Sequence, residues 1–272
     1  MPAEPVARAE GGAFPADDAG LELRIEGEGA EAIVMVHGWP DTLRLWDRQV
    51  EALRGRFRCV RFTLPGFAGP RRALHSLDEL VAAVGRAVDA AGAPATLLLH
   101  DWGCLFGYQF ALRHPERVRR VIAVDGGDAG SRAFMRETPL RHKLAIVGYQ
   151  CWLAAAWRIG GGLGDRMARR MARAARAPAD PATVSAQMGY PYWVQWTGAR
   201  GGFRGARAFM PHCPMLFVYG RRKPFMFHSA QWAGEVAARP GCRVLAFDCG
   251  HWVMVEQAAE FNAAVLDWLG AP

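Results

Sequence analysis

Short aliphatic runs alternate with longer amphipathic segments along most of this chain. The aliphatic runs are four to eight residues long and rich in Val, Ile and Leu, as expected of strands buried on both faces of a sheet. The predicted strands are Leu21–Ile25, Ala32–His37, Cys59–Thr63, Ala95–His100, Val118–Asp125, Met215–Tyr219 and Val244–Phe247. Because strand and helix patterns alternate, the sequence predicts an α/β fold with a mostly parallel central sheet and helices on both faces.

The amphipathic segments between these strands have the spacing of surface helices, with apolar residues three or four positions apart. The predicted helices are Leu43–Leu53, Leu77–Ala91, Leu105–Arg113, His228–Ala238 and Ala258–Leu269. One helix start is explicit, because Ser76 and Glu79 have the spacing of a capping box.

The alternation stops after Asp125 and resumes near Cys213. The residues between are rich in Trp, Met, Arg and Ala with helical periodicity, and so long a segment without structure of its own would be unusual in a compact domain. We therefore expect residues 128–212 to form a helical cap, inserted into an α/β core that comprises residues 21–127 and 213–272. Residues 1–20 have no apolar core of the kind found in signal peptides and are expected to be a mobile leader.

The formal charge of +7 raises the question of an anionic partner. The basic residues are scattered, however, and their one dense stretch, Arg166–Arg176, alternates with Met167 and Met171 as on a solvated helix face. Nucleic acid is therefore not expected as a partner. The apolar stretch Leu144–Ile159 is shorter than the roughly 20 residues that a membrane span needs, so no stable membrane insertion is expected.

The six cysteines show neither a CxxC pair nor a spacing to His that would suggest zinc. Reduced thiols in a cytoplasmic protein are the simplest interpretation. No metal and no cofactor are predicted, and the sequence carries no indication of the oligomeric state.

The most informative segment is Leu97–Cys104, which reads LLLHDWGC and joins an aliphatic strand directly to a helix. Such a corner lifts one side chain above the carboxyl edge of the sheet, and here that side chain is Asp101. Gly103 is small, as a tight turn requires, whereas Leu99 is bulkier than expected. On its own, Asp101 could equally be an ordinary helix N-cap.

Two further segments support a catalytic interpretation of Asp101. His37–Asp41 reads HGWPD directly after a strand, so the amides of Trp39 and Trp102 could form an oxyanion hole beside Asp101. His251 follows the last strand within DCGHW, at the sheet edge where α/β proteins place their sites.

The motifs HGWP, HDWG and GHW, in this order and with a helical insertion, resemble the α/β-hydrolase superfamily. They are most similar to its epoxide hydrolase and haloalkane dehalogenase branch, and the resemblance covers residues 21–269. It implies that Asp101 is a nucleophile that forms an alkyl ester and that His251 activates the water that hydrolyses it.

The acid that orients the histidine departs from the pattern of the branch. Epoxide hydrolases commonly carry Asp in the turn after the strand equivalent to Met215–Tyr219, where this chain has Lys223. Fluoroacetate dehalogenases instead place the acid at the end of the strand that follows the nucleophile helix. That arrangement matches Asp125, with Asp128 as the alternative.

The substrate is expected to be a small apolar organic molecule. Epoxide hydrolases protonate the leaving alkoxide with cap tyrosines, and Tyr149, Tyr190 and Tyr192 all lie in the predicted cap. These tyrosines favour an epoxide hydrolase over a haloalkane dehalogenase, whose leaving halide needs only N–H donors. Lys223, Leu99 and Cys104 leave a third hypothesis open, a catalytically silent binding protein on the same fold.

Overall fold

The protein is described by a computed structural model that covers residues 21–68 and 73–270. The predicted leader, residues 1–20, lies outside the described residues. Within them the sheet has seven strands: β1 (Leu23–Glu26), β2 (Ala32–Val36), β3 (Arg58–Phe62), β4 (Ala95–His100), β5 (Val118–Val124), β6 (Met215–Gly220) and β7 (Arg243–Phe247). Every predicted strand is present, and the ends differ by at most two residues.

The strands lie in the order β1-β3-β2-β4-β5-β6-β7 across the sheet. β1 runs antiparallel to β3, and all other neighbouring strands are parallel. The strands that precede Asp101 and Asp125 are β4 and β5, which are neighbours. Because parallel strands end at the same sheet edge, this order brings the two aspartates to one side of the molecule.

Alternate residues of each central strand enter separate cores above and below the sheet. In β2, Val34 and Val36 belong to the larger cluster, whereas Ile33 and Met35 belong to the smaller one. All four are fully buried. The sheet is therefore covered on both faces, as its uninterrupted apolar strands predict.

The helices pack on both faces of the sheet and in the insertion. They are α1 (Asp47–Leu53), α2 (Leu77–Ala91), α3 (Trp102–Arg113), α4 (Arg132–Glu137), α5 (Leu140–Ile159), α6 (Gly161–Ala174), α7 (Tyr190–Thr197), α8 (Ala230–Ala237), α9 (Val253–Glu256) and α10 (Ala258–Gly270). No helix within 21–68 or 73–270 is long and apolar enough to cross a membrane.

Several helix starts differ from the predicted ones for local reasons. The helix predicted from Leu105 begins at Trp102, because the chain turns at Asp101 itself. The segment predicted as one helix from Leu43 begins with a 3₁₀ turn and continues as α1. The predicted capping box at Ser76 and Glu79 is present, with both reciprocal hydrogen bonds.

Residues 128–212, all of which the structure describes, form helices α4 to α7 and contain no strand. Their helices α5 and α6 pack against each other closely enough that a Cβ atom on Gly164 would lie 2.4 Å from the carbonyl oxygen of Ala156. The dense basic stretch falls largely on α6. That these helices act as a separate cap stays a prediction.

Candidate active site

Asp101 occupies the sharp corner between β4 and α3. Its backbone has φ 53° and ψ −121°, a conformation that a residue with a side chain rarely adopts and that costs on the order of 1–3 kcal/mol. Asp101 stands at the N-cap position of α3, but its side chain makes no capping hydrogen bond. The carboxylate is therefore not used as an ordinary N-cap.

Two glycines allow the backbone to approach this corner. A Cβ atom on Gly38 would lie 2.2 Å from Oδ1 of Asp101, and one on Gly103 would lie 2.3 Å from the carbonyl oxygen of Val36. Both contacts are far below van der Waals distance, so these positions exclude any larger residue without rearrangement. Gly38 of HGWP and Gly103 of HDWG thus allow the two loops to pack closely against each other.

The two carboxylate oxygens of Asp101 have different surroundings. Oδ1 accepts a hydrogen bond from the amide of Trp39 at 2.8 Å, and the amide of Trp102 also interacts with the carboxylate. Oδ2 lies 3.7 Å from Nε2 of His251. Oδ1 is therefore held by the amide of Trp39 at the predicted oxyanion hole, and Oδ2 faces the imidazole.

His251 is held from its opposite side by Asp125. Nδ1 of His251 lies 2.7 Å from Oδ2 of Asp125, whose side chain is fully buried. The other oxygen of Asp125 accepts a hydrogen bond from Nζ of Lys223 at 2.5 Å. The structure thus brings Asp101, His251 and Asp125 into one chain of contacts, with Lys223 at its end.

Asp128, the alternative acid, is not brought to this chain. Its Oδ1 accepts from the amide of Ser229 at 2.6 Å, and its Oδ2 accepts from the hydroxyls of Ser131 and Ser229 at 2.5 and 2.7 Å. These bonds join the chain after β5 to the start of α8. Asp128 is consequently a structural anchor, and Asp125 is the acid that touches His251.

Charges within the site keep both aspartates ionised. Burial opposes ionisation of Asp101, but the hydrogen bond and charge of His251 outweigh it, so the pKa of Asp101 lies below its ordinary value. For Asp125, burial is likewise outweighed by His251 and Lys223, and the pKa is lowered. Burial favours neutral His251, yet the two carboxylates outweigh this effect and raise its pKa to about 9.

A cavity of about 1000 Å³ opens above these residues. Asp101 and His251 contribute to its wall, together with aromatic side chains from both the core and the insertion. These are Trp39, Tyr149, Tyr192, Phe225, Phe227 and Trp252. The volume is in the range of small-molecule sites.

Two of the three predicted tyrosines reach this cavity. Tyr149 and Tyr192 line it, with ring centroids 6.0 Å apart, and Tyr192 also packs edge-on against Trp39 and Trp102. Tyr190 does not line the cavity. Its ring instead lies against Phe67 and His75, and its hydroxyl is buried. The structure therefore does not bring Tyr190 to the cavity with the other two tyrosines, because residues two positions apart on a helix point to different sides.

Sequence reasoning missed three buried polar residues that support the site. His37 accepts a hydrogen bond from the amide of Leu64 at 2.9 Å, and burial lowers its pKa to about 4. His100 packs on His251 with ring centroids 4.5 Å apart, and burial lowers its pKa to about 3. Asp41 accepts from the indole of Trp252 at 2.9 Å. All three lie within the HGWPD and HDWG motifs, and this position could have identified them from the sequence.

Known proteins resemble this chain over most of its length. The model of the alpha/beta hydrolase family matches residues 33–264. Epoxide hydrolase A of Mycobacterium tuberculosis is 26% identical, and the match covers 93% of this chain and 95% of that protein. The cis-3-alkyl-4-alkyloxetan-2-one decarboxylase of Xanthomonas campestris is 25% identical over 84% of both chains.

A solved structure shows the same fold. The epoxide hydrolase of Bacillus megaterium, crystallised with an inhibitor, superposes with a TM-score of 0.68 at 20% identity and covers 92% of this chain and 97% of its own. The relatives carry more than one activity, so the fold alone does not define the reaction. The chain belongs to the alpha/beta hydrolase family, within which its relatives support the epoxide hydrolase branch.

Proposed function

We propose that this protein hydrolyses epoxides through an alkyl ester on Asp101. The observation that carries the proposal is that the two oxygens of that carboxylate have different contacts. Oδ1 is held by the amide of Trp39 at 2.8 Å, whereas Oδ2 faces His251 at 3.7 Å on the wall of the cavity. An ionised carboxylate held in this way is ready to attack a carbon atom without a base.

In the first step, Oδ2 of Asp101 attacks an epoxide carbon and the carbon–oxygen bond of the ring breaks. The leaving oxygen needs a proton, which a phenol of Tyr149 or Tyr192 supplies. Burial raises the pKa of both phenols above its ordinary value, so both are protonated before the reaction. The products of this step are a hydroxyalkyl ester and one tyrosinate.

In the second step, the ester is hydrolysed. Esterification removes the negative charge of Asp101, which is one of the two charges that keep His251 protonated. His251 then yields its proton, which returns the tyrosinate to a phenol through water in the cavity. Neutral His251, oriented by Asp125, accepts a proton from water as the oxygen of that water adds to the ester carbonyl.

The tetrahedral intermediate places its negative charge on the former Oδ1. That oxygen already accepts from the amide of Trp39, the amide of Trp102 lies at the same carboxylate, and one such donor contributes roughly 3–4 kcal/mol in comparable sites. As the intermediate collapses, its bond to the substrate oxygen breaks and that oxygen takes a proton from His251, which releases the diol. The carboxylic acid left behind returns a proton to His251, and ionised Asp101 is restored. A small apolar epoxide fits the aromatic walls of the cavity.

The proposal is tested with His251→Gln, which should form the ester but not hydrolyse it. After incubation with styrene oxide, we expect intact-mass analysis to show one added epoxide mass, and peptide mapping to place it on Asp101. Asp101→Ala should remain unmodified. Asp248→Ala removes another carboxylate at the cavity wall and should leave labelling of the His251→Gln protein intact.

The outcome that contradicts the proposal is an unmodified His251→Gln protein against a panel of epoxides and bromoalkanes. The silent binding protein would then be the better description.

Haloalkane dehalogenation is the second candidate, and one observation favours it. The indole Nε1 of Trp39 is buried beside the cavity and has no hydrogen-bond partner among the described residues. A free N–H donor at this place could bind a departing halide. Bromide release from bromoalkanes, measured beside diol formation from epoxides, separates the two activities.

A further inference from the structure

Lys223 occupies the end of the polar chain that begins at Asp101. Its Nζ donates to Oδ1 of Asp125 at 2.5 Å and to the carbonyl oxygen of Gly220 at 2.6 Å. The side chains of Lys223 and Asp125 are 5% and 0% exposed. A cation so deeply buried is costly unless it is paired, and here each polar contact of the ammonium group is made to the end of β5 or β6.

A backbone contact helps to fix the position of the ammonium group of Lys223. Lys223 lies in the turn directly after β6, and its ammonium group returns to the last residue of that strand. It also lies 5.7 Å from the ring centroid of Tyr219. The contact therefore fixes one oxygen of Asp125 and leaves the other for Nδ1 of His251.

The titratable groups around His251 and its acid come from several elements. They include Asp41 after β2, His100 and Asp101 at the end of β4, Cys104 in α3, Asp125 after β5, Lys223 and His228 after β6, and Cys249 after β7. His100 and His228 are neutral because burial lowers their pKa to about 3 and about 4. Among these groups, Lys223 brings a positive charge to Asp125, the acid that contacts His251.

We propose that Lys223 is a positioning residue for the hydrolytic base: it fixes Asp125 and offsets part of its negative charge, so that His251 becomes neutral once Asp101 is esterified. This inference rests on the proposed function, because it assigns Lys223 a role in the second step. Before esterification, two carboxylates flank His251. Afterwards only Asp125 remains charged, and one of its two oxygens accepts a hydrogen bond from Lys223.

The first experiment follows the ester in single turnovers with styrene oxide across pH. We expect Lys223→Met to form the ester at a rate within about threefold of wild type. Removing the charge of Lys223 should favour protonated His251, so the acid limb, the pH below which ester hydrolysis slows, should lie about one unit or more higher than in wild type, since a neighbouring charge shifts a titration by roughly 1–3 units. Lys223→Arg, which keeps the charge, should restore the limb.

Arg222→Met is the matched control. Arg222 precedes Lys223 in the same turn, but it is exposed and pairs with Asp248. We expect its acid limb to coincide with that of wild type. An unshifted limb in Lys223→Met, or an equal shift in Arg222→Met, would overturn the proposal.

A second measurement does not depend on turnover. Asp101→Asn imitates the uncharged ester, and the imidazole of His251 can be titrated in this protein by nitrogen NMR, with and without Lys223→Gln. The titration midpoint should rise by at least one unit when Lys223 is replaced, and equal midpoints would refute the role. If wild type forms no ester, the proposed function fails, while this titration still decides whether Lys223 controls His251.

Discussion

The sheet core and the helical insertion differ sharply in charge. Residues 128–212 carry 13 Arg and Lys against four Asp and Glu, whereas the rest of the chain carries 20 against 22. Of the nine large apolar side chains exposed among the described residues, eight lie in this insertion. The excess positive charge of the chain and most of the large exposed apolar side chains of its described residues therefore lie in one region.

The candidate site divides in the opposite way. Its ionised residues, Asp101, Asp125 and His251, all stand in the core at the ends of strands. The insertion contributes the phenols of Tyr149 and Tyr192 to the cavity wall. The ionised residues of the site are thus held at the ends of strands, whereas the side chains that line the cavity come from both the core and the inserted helices.

The largest effect is expected when the insertion loses the two phenol hydroxyls that it contributes to the cavity. In Tyr149→Phe/Tyr192→Phe, ring opening of epoxides should slow by roughly 10²–10⁴-fold, because the alkoxide loses its general acid. Labelling of His251→Gln by a bromoalkane, which needs no proton, should change little in the same background. The rates are measured by intact mass in single turnovers.

Tyr190→Phe is the matched control, since its hydroxyl lies outside the cavity and has no hydrogen-bond partner among the described residues. We expect it to open epoxides at the wild-type rate. A double Phe variant that opens epoxides normally would show that the insertion does not provide the acid.

The next effect concerns packing beneath the nucleophile. Leu99 is fully buried, and a Cβ atom on Gly107 would lie 2.4 Å from its Cδ2. Leu99→Ala should reduce the free energy of unfolding by roughly 2–5 kcal/mol, and Gly107→Ala by about 1–3 kcal/mol through overpacking. The double variant should lose less than the sum, because the added methyl enters the space that Leu99 leaves.

Gly148→Ala, in α5, is the control from the insertion. A Cβ atom there meets nothing within 4 Å, so the change should stabilise the protein by up to about 1 kcal/mol through helix propensity. Urea unfolding measures all four variants. Strict additivity of Leu99→Ala and Gly107→Ala would refute the compensation.

This pair also shows what the sequence could and could not predict. Strand periodicity and the motif order predicted the sheet and the positions of Asp101 and His251, because both depend on local patterns. The local pattern indicated that Leu99 is too large for the corner, and nothing local indicated that Gly107, about 1.4 helical turns into α3, makes room for it. Such compensation is a contact between two elements and is invisible in either segment.

Contacts between elements also decide which aspartate touches His251 and which tyrosines reach the cavity. Asp125 and Asp128 both follow β5, and only the three-dimensional structure shows that the first meets His251 while the second meets Ser229. Tyr190 and Tyr192 differ by two positions, a rotation of about 200° on a helix, so that one enters the cavity and the other does not. Composition cannot distinguish such neighbours.

Asp41 gives the stability of the core a dependence on pH. Burial raises its pKa from 3.8 to about 7. The unfolded chain loses this proton first, so the stabilisation is complete below pH 3.8 and is lost as pH rises to about 7. In Asp41→Asn, which keeps an acceptor for Trp252, this loss should vanish, and its stability relative to wild type should grow by at most about 1.4 kcal/mol per pH unit across that window.

Urea unfolding of both proteins between pH 4 and 8 measures this difference. Parallel stability curves would mean that Asp41 is not held protonated by its burial. A check on folding is the indole fluorescence of the native state, which should be alike in both proteins at pH 4.

The smallest effect is expected on the outer face of α5. Leu140, Leu144 and Val147 recur there at helical spacing and are 70%, 62% and 39% exposed, whereas Leu153 of the same helix is fully buried. Leu144→Ser should therefore change the free energy of unfolding by no more than about 0.5 kcal/mol, while Leu153→Ala should cost roughly 2–5 kcal/mol. The apolar face would then be shown to contribute nothing to the fold of a single chain. A loss well above 1 kcal/mol in Leu144→Ser, with a smaller particle in size-exclusion chromatography, would instead mean that this face is covered in solution.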